Sequence, residues 1–282
     1  MGTTVLDQFS LAGRTAVITG AGGALCGAMA RALGAIGVRV AVLDLDPVHA
    51  EKTAADIRAA GGEAHSYRCD VLDESSLEGV RDQVERRWGA AHCLINGAGG
   101  NDPKGSTAVE FTEPDALTGS GGFFDLDRNG FERTFDLNFV GTFLPTKVFA
   151  RGMAARGSGA ILNMASMSSL TPLTKVGAYS AAKAAVANFT GWLAVHLSHV
   201  GIRVNALAPG FFLTEQLRFL HIDRETGEYT PRARKAVAHT PMGRYGEPDD
   251  LLGATVWLLS DASRFVTGIV VPIDGGFSSY SV

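Results

Sequence analysis

Short apolar runs alternate with longer amphipathic stretches along almost the whole chain. Arg14–Thr19, Arg39–Leu43, Glu63–Cys69, Cys93–Ile95, Ala160–Met164, Arg203–Leu207 and Ile269–Val271 have the length of strands and fall at the strand places of the alternation. Between them, Ala24–Ile36, Pro47–Ala60, Glu74–Trp88, Asn129–Ala155, Ala178–His199 and Pro248–Leu259 have helical composition. Asp46 is placed to cap the second helix, with Pro47 at its first position and Gly61 as its stop. Strands apolar on both faces cannot leave a face in water. The alternation therefore predicts an α/β fold, a doubly wound Rossmann-type parallel sheet of about seven strands with helices on both faces. No Pro/Ser-rich linker or internal repeat divides the chain, so one domain spanning 1–282 is expected. Two segments break the rhythm: Gly100–Asp127, rich in Gly, and Phe211–Glu247, with aromatics and charges. Loops of that length in a compact domain are often functional, and a substrate lid is expected at about 210–247.

Composition narrows the classes of function. Apolar residues make up 46% of the 282, ample for a large core, and the formal charge is −4. With a pI near 6.0 there is no electrostatic case for nucleic acid or an anionic membrane. Cys26, Cys69 and Cys93 lack C-x-x-C spacing and suit a reducing cytoplasm. No stretch reaches 18 continuous apolar residues, and the first residues resemble neither a signal peptide nor a myristoylation site. No metal-ligating cluster stands out.

The first candidate for chemistry is Ala178-Tyr179-Ser180-Ala181-Ala182-Lys183. A spacing of four puts Tyr179 and Lys183 one helical turn apart on the same face. A phenol with a pKa of about 10 is a poor acid or base at neutral pH, and a nearby ammonium lowers it, which makes the pair a candidate general acid/base. The second is the turn Thr19-Gly20-Ala21-Gly22-Gly23 between the first strand and first helix. Glycines there let the backbone approach a pyrophosphate, and the helix N-terminus offers N–H groups. Asp44 ends the second strand and can accept hydrogen bonds from ribose hydroxyls. With Asp46 it would repel a 2′-phosphate, which favours NAD over NADP.

These residues, with others in fixed order, resemble the short-chain dehydrogenase/reductase superfamily over nearly the whole chain. The matches are Thr19-Gly20, Asp70-Val71, Asn96-Gly97-Ala98-Gly99, Asn138, Ser166 thirteen residues before Tyr179, Lys183, Pro209-Gly210 and Asp274-Gly275-Gly276. Within it the chain resembles the D-mannonate oxidoreductase (fructuronate reductase) branch. That likeness rests on Phe135–Phe139, Thr171–Val176, Ala208–Gln216 and His239–Arg244. Two departures stand out. Ala24 and Cys26 occupy positions where the family's phosphate turn usually has its second and third glycines, and Gly97 stands where a second Asn is common.

The resemblance implies an NAD-dependent oxidoreductase interconverting a secondary alcohol and a ketone, a sugar acid such as D-mannonate/D-fructuronate being the expected substrate. It implies Tyr179 as proton carrier, Lys183 as its partner and ribose ligand, Ser166 on the substrate oxygen and Asn138 on a relay water. It places Gly20, Gly22, Ala24, Leu25, Asp44, Asp70, Val71, Asn96, Gly99, Pro209 and Thr214 on the cofactor. Asn101, Lys175, Arg218 and Arg244 are candidates for a polar substrate, since a carboxylate needs a cation and hydroxyls need hydrogen-bonding groups. A homotetramer is also implied. Another polyol, hydroxy acid or cyclic alcohol remains open as substrate, as does a dinucleotide-sensing protein without catalysis.

Overall fold

Seven strands, all parallel, form one sheet in a computed structural model that describes residues 4–214, 221–223 and 226–281. They are β1 (Thr15–Thr19), β2 (Arg39–Asp44), β3 (Glu63–Arg68), β4 (Cys93–Asn96), β5 (Gly159–Met164), β6 (Ile202–Pro209) and β7 (Val270–Ile273), in the order β3-β2-β1-β4-β5-β6-β7. Successive side chains point to opposite faces. Ile18, Val42 and Ile95 therefore pack on one side of the sheet, against Met29 and Leu33 of α1 (Ala24–Ala35), Ile57 of α2 (Pro47–Ala59) and Leu258 near the C-terminus. Val17, Leu43, Leu94 and Ile161 pack on the other, against Val84 of α3 (Glu74–Trp88) and Phe149 and Met153 farther along the chain. This double covering is what the unbroken apolar runs require. Asp46 caps α2 as expected, accepting from Val48 N at 2.8 Å.

The long helix expected over 129–155 is three pieces. α4 (Arg128–Phe135) runs into a π turn at Asp136–Val140, and α5 (Gly141–Arg156) continues from it. Asn138 sits at the centre of that turn, fully buried. A π turn inserts one residue into the helical repeat without breaking the backbone ladder, so a periodicity reading passes over it. The expected helix at 178–199 is α6 (Gly177–His196) followed by a 3₁₀ turn at Ser198–Val200. The segment read as a lid contains α7 (Pro231–Ala238), capped by Thr230, whose Oγ1 accepts from Ala233 N at 3.2 Å. Ala233, Ala236 and Tyr245 give this segment a small core of its own. The last helix shortens to α8 (Leu252–Leu259), preceded by a 3₁₀ turn at Pro248–Leu251.

A buried polar chain crosses the middle of the sheet. Asn96 Nδ2 donates to Asn163 Oδ1 at 2.8 Å and to Thr146 Oγ1 at 2.9 Å, and Asn163 Nδ2 donates to Thr190 Oγ1 at 2.9 Å. It ties β4 and β5 to α5 and α6, the elements that carry the residues discussed next.

Candidate active site

A cleft of about 580 Å³ opens at the C-terminal ends of β1, β4, β5 and β6. The connections leaving β1 and β4 turn to opposite sides there, and this is where open parallel sheets hold their ligands. Three glycine features shape its floor. Gly20 has φ +64°, and a Cβ there would lie 2.9 Å from Ala98 Cα. A Cβ on Gly22 would lie 2.8 Å from Asp44 Oδ2, which instead accepts the Gly22 N–H at 2.9 Å. Gly23 leads into α1, whose first N–H groups face the cleft without a side-chain cap. A backbone cradle at a helix N-terminus beside an acid fits the pyrophosphate and ribose of a dinucleotide.

Of the residues expected on the cofactor, Gly20, Gly22, Ala24, Leu25, Asp44, Asp70, Val71, Gly99, Pro209 and Thr214 line the cleft. Asn96 does not. It is 1% exposed and its amide is spent on Asn163 and Thr146, so it holds strands and helices together beneath the site. Cys26, marked in the sequence as a departure in the phosphate turn, lines the cleft, and so do Leu45 and His49, which were not expected there. Leu45 and His49 carry no signal of their own in the sequence.

Ser166, Tyr179, Lys183 and Asn138 all reach the same cleft. Ser166 stands where β5 ends, its side chain accepting the Ser168 N–H at 3.2 Å and also bonded to Tyr179. Lys183 is 4% exposed and donates to Met164 O at 2.7 Å. Asn138 Nδ2 donates to Thr134 O at 2.7 Å and Gly100 O at 2.6 Å, which orients its Oδ1 toward the Gly99–Gly100 loop. A Cβ on Gly99 would lie 2.6 Å from Asn138 Oδ1 and 3.3 Å from Lys183 Nζ. Asn138 and Lys183 thus share one neighbour, and only glycine fits it.

The electrostatics differ from the simple reading of the pair. Burial raises the Tyr179 pKa above its ordinary value, and the Ser166 hydrogen bond is what opposes it. Lys183 lies 5.6 Å from the centre of the Tyr179 ring. Burial also lowers the Lys183 pKa to about 8, because its charged form has lost water. Burial thus opposes ionisation of Tyr179, and positive charge in the cleft would favour it.

The substrate candidates separate. Arg244 forms a two-point ion pair with Asp250, at 2.7 and 2.9 Å, and lines a different cleft with Phe211 and Met242. It does not line the cleft that holds Tyr179, and its charge is taken up by Asp250. Asn101 donates to Ser106 Oγ at 2.6 Å on the exposed Gly100–Asp127 segment. Lys175 is exposed, and among the described residues it is the one non-glycine with positive φ, +70°. Its carbonyl accepts the Thr107 N–H at 2.8 Å, joining that segment to the approach to α6. Arg218 lies outside the described residues.

Comparison with known proteins agrees with this geometry. A family model described as enoyl-(acyl carrier protein) reductase matches residues 20–278. The chain belongs to the short-chain dehydrogenase/reductase family, whose members are oxidoreductases. It is 50% identical over 273 residues to an uncharacterized oxidoreductase of Bacillus subtilis, covering 96% of this chain and 97% of that one. A solved structure from Haemophilus influenza, provisionally assigned as a D-mannonate oxidoreductase and holding NAD, superposes with a TM-score of 0.91 at 48% identity, covering 96% of this chain and 97% of its own. A gluconate 5-dehydrogenase of Burkholderia cenocepacia, in complex with NADP and tartrate, gives 0.82 at 32% identity, covering 99% and 100%. Among the described residues no helix is long and apolar enough to cross a membrane, and no cluster of His, Cys, Asp and Glu could hold a metal.

The Lys183 shift has a sign that can be checked. Its pKa is about 8 folded against 10.5 for the free side chain, so between those values the unfolded chain binds more protons. Stability contributed by this site therefore rises with pH from about 8 to 10.5, and below 8 the full cost of burying the charge is present. The stability of the wild type relative to Lys183→Met, from urea unfolding, should rise by up to about 3 kcal/mol across that window. A difference that stays flat from pH 7.5 to 10.5 overturns the assignment of the shift to burial.

Proposed function

We propose that this chain is an NAD-dependent oxidoreductase that interconverts a secondary alcohol and a ketone on a sugar acid, with D-mannonate/D-fructuronate as the leading pair. The observation that carries the reading is one cleft holding Ser166, Tyr179 and Lys183 beside a glycine cradle that ends at Asp44. Asp44 stands where the adenosine ribose is expected, and a carboxylate there opposes a 2′-phosphate, while Asp46 is taken up capping α2. Bound NAD⁺ supplies hydride acceptance at its nicotinamide; position and charge come from the chain. Ser166 Oγ holds the substrate oxygen. Tyr179 Oη takes the hydroxyl proton in oxidation and returns it in reduction. Lys183, fixed by Met164 O, keeps positive charge against the phenol as it ionises. Asn138 Oδ1, beside Gly99 and near Lys183, holds the water that carries the proton outward.

The substrate's carboxylate is assigned to Lys175 and a hydroxyl to Asn101, which lie outside the cleft lining on two segments joined by the Thr107 N–H to Lys175 O bond. Lys175 makes no ion pair among the described residues, whereas Arg244 and Lys235 are paired with Asp250 and Glu110. A lysine in the left-handed region costs on the order of 1 kcal/mol, and such strain concentrates at functional sites. The chain acts as one domain, with the segment around α7 as its lid, in the reducing cytoplasm that three buried free cysteines suit. Four copies assemble through the outer face of α5 and α6. Phe143, Trp192 and Val195 are 41%, 55% and 77% exposed there, and Phe189, Trp192 and His196 stack in one row. An apolar strip of that kind marks an interface.

Nicotinamide absorbance with a panel of aldonates, polyols and cyclic alcohols tests the activity. Turnover should be confined to sugar acids with NAD⁺, and Tyr179→Phe should lower kcat about a thousandfold. Undiminished turnover in Tyr179→Phe would discard the proton carrier, and a preference for neutral alcohols would discard the substrate class. Replacing Lys175 with Gly removes both strain and charge. That variant should unfold about 1 kcal/mol later yet show roughly tenfold higher KM for the acid substrate; unchanged KM separates the strain from any substrate role. For assembly, Trp192→Glu should shift the mass measured by light scattering from tetramer to smaller species, and a wild-type monomer refutes the interface.

A further inference from the structure

Cys26 and Gly97 face each other across a gap that holds one side chain. A Cβ placed on Gly97 would lie 2.1 Å from Cys26 Sγ, 2.9 Å from Thr19 O and 3.4 Å from Cys26 Cβ. Nothing in this corner yields easily. Thr19 Oγ1 accepts both Gly97 N, at 3.0 Å, and Ala98 N, at 3.2 Å. On the other side, Gly20 is pressed against Ala98. The ends of β1 and β4 and the first turn of α1 thus meet with no spare volume, and the Cys26 sulfur fills what remains. Both Cys26 and Gly97 line the cleft. Cys26 is 5% exposed, and burial pushes its thiol up to about 12, so it is a neutral filler rather than a nucleophile.

We infer that Cys26 is a positioning residue for the dinucleotide, with Gly97 as its complement. The thiol sets the distance between the N-terminus of α1, which presents N–H groups to the pyrophosphate, and the Gly97–Gly100 loop, which closes the cleft beside Lys183. The two departures in the sequence are then a single exchange. Against the pattern the chain resembles, volume is gained at position 26, where glycine is usual, and given up at position 97, where Asn is common. A displacement of about 1 Å in a positioning element can change rates a hundredfold, so this spacing bears on cofactor affinity as well as on stability.

The inference rests on the proposed NAD site and is tested by a double-mutant cycle of Gly97→Ala, Cys26→Ala and both together. Affinity for NAD⁺ is read by calorimetric titration, and KM for NAD⁺ and kcat by turnover. Gly97→Ala should weaken NAD⁺ binding at least tenfold and raise KM for NAD⁺ more than it lowers kcat. Cys26→Ala should weaken binding a few-fold. The double variant removes the 2.1 Å contact with the sulfur and keeps the 2.9 Å contact with the Thr19 carbonyl, so it should bind NAD⁺ more tightly than Gly97→Ala alone, a partial and non-additive recovery. Independent, additive losses overturn the inference, as does wild-type affinity in Gly97→Ala. If Gly97→Ala does not fold, a folded double variant is the same rescue, and a double variant that also fails overturns it. If the wild type does not bind NAD⁺, the proposed cofactor fails by itself. The cycle is then read on thermal midpoints, where additivity overturns the Cys26–Gly97 coupling and rescue retains it.

Discussion

A buried ammonium held by one backbone carbonyl organises this molecule. Lys183 Nζ donates to Met164 O at 2.7 Å from inside a site that water barely reaches. An isolated charge in such a place is costly unless it is hydrogen-bonded, so the carbonyl that receives it must be held in place. Met164 is the last residue of β5, and its neighbour Ala165 is held to β6 through Leu207 O at 2.8 Å. α6 is therefore docked on the sheet in one register only, with Tyr179 one turn before Lys183 and facing Ser166. The polar chain through Asn96, Asn163 and Thr190 fixes the same register from below.

The opposite wall works by exclusion of side chains. Gly20, Gly22, Gly97 and Gly99 each stand where a Cβ would enter a neighbour, within 3.0 Å in every case. They let two strand ends and a helix start come together until backbone N–H groups form the surface. Cys26 is the exception that defines the pattern, since its sulfur is accommodated by the missing side chain opposite. Asp44 closes this wall by accepting the Gly22 N–H, so the acid at the end of β2 also holds the glycine turn after β1.

How much of this could be read from the sequence follows from which interactions are local. Strands apolar on both faces, the Asp46 cap and the Tyr179–Lys183 spacing depend on neighbours within a few residues, and the parallel sheet was legible from them, while the mostly polar β3, at the sheet edge, followed from its place in the alternation. The π turn at Asp136–Val140 was not, because inserting one residue leaves the apolar pattern of 129–155 almost unchanged. Asn96 was placed on the cofactor by the family motif, and only the sheet order reveals that its side chain is spent on Asn163 and Thr146. Arg244 misled for a related reason: its partner Asp250, six residues on, neutralises it before any substrate arrives. The raised Tyr179 pKa is a matter of depth in the fold, which spacing along one helix does not encode.

The order of strands has a consequence for how the molecule is made. β1 pairs with β2 through Thr15 and Arg39, a separation of 39 − 15 = 24 residues, but with β4 through Ala16 and Cys93, a separation of 93 − 16 = 77. During synthesis the first three strands can associate while the floor of the cleft is still missing. The apolar edge of β1, including Val17 and Ile18, stays open until residues 93–96 arrive. Pairings of that separation are slow to form and leave sticky edges in the interval. The strand that completes the cofactor cradle is therefore also the one that ends the nascent chain's exposure to aggregation, and weakening β4 would reduce the yield of folded protein as well as its activity.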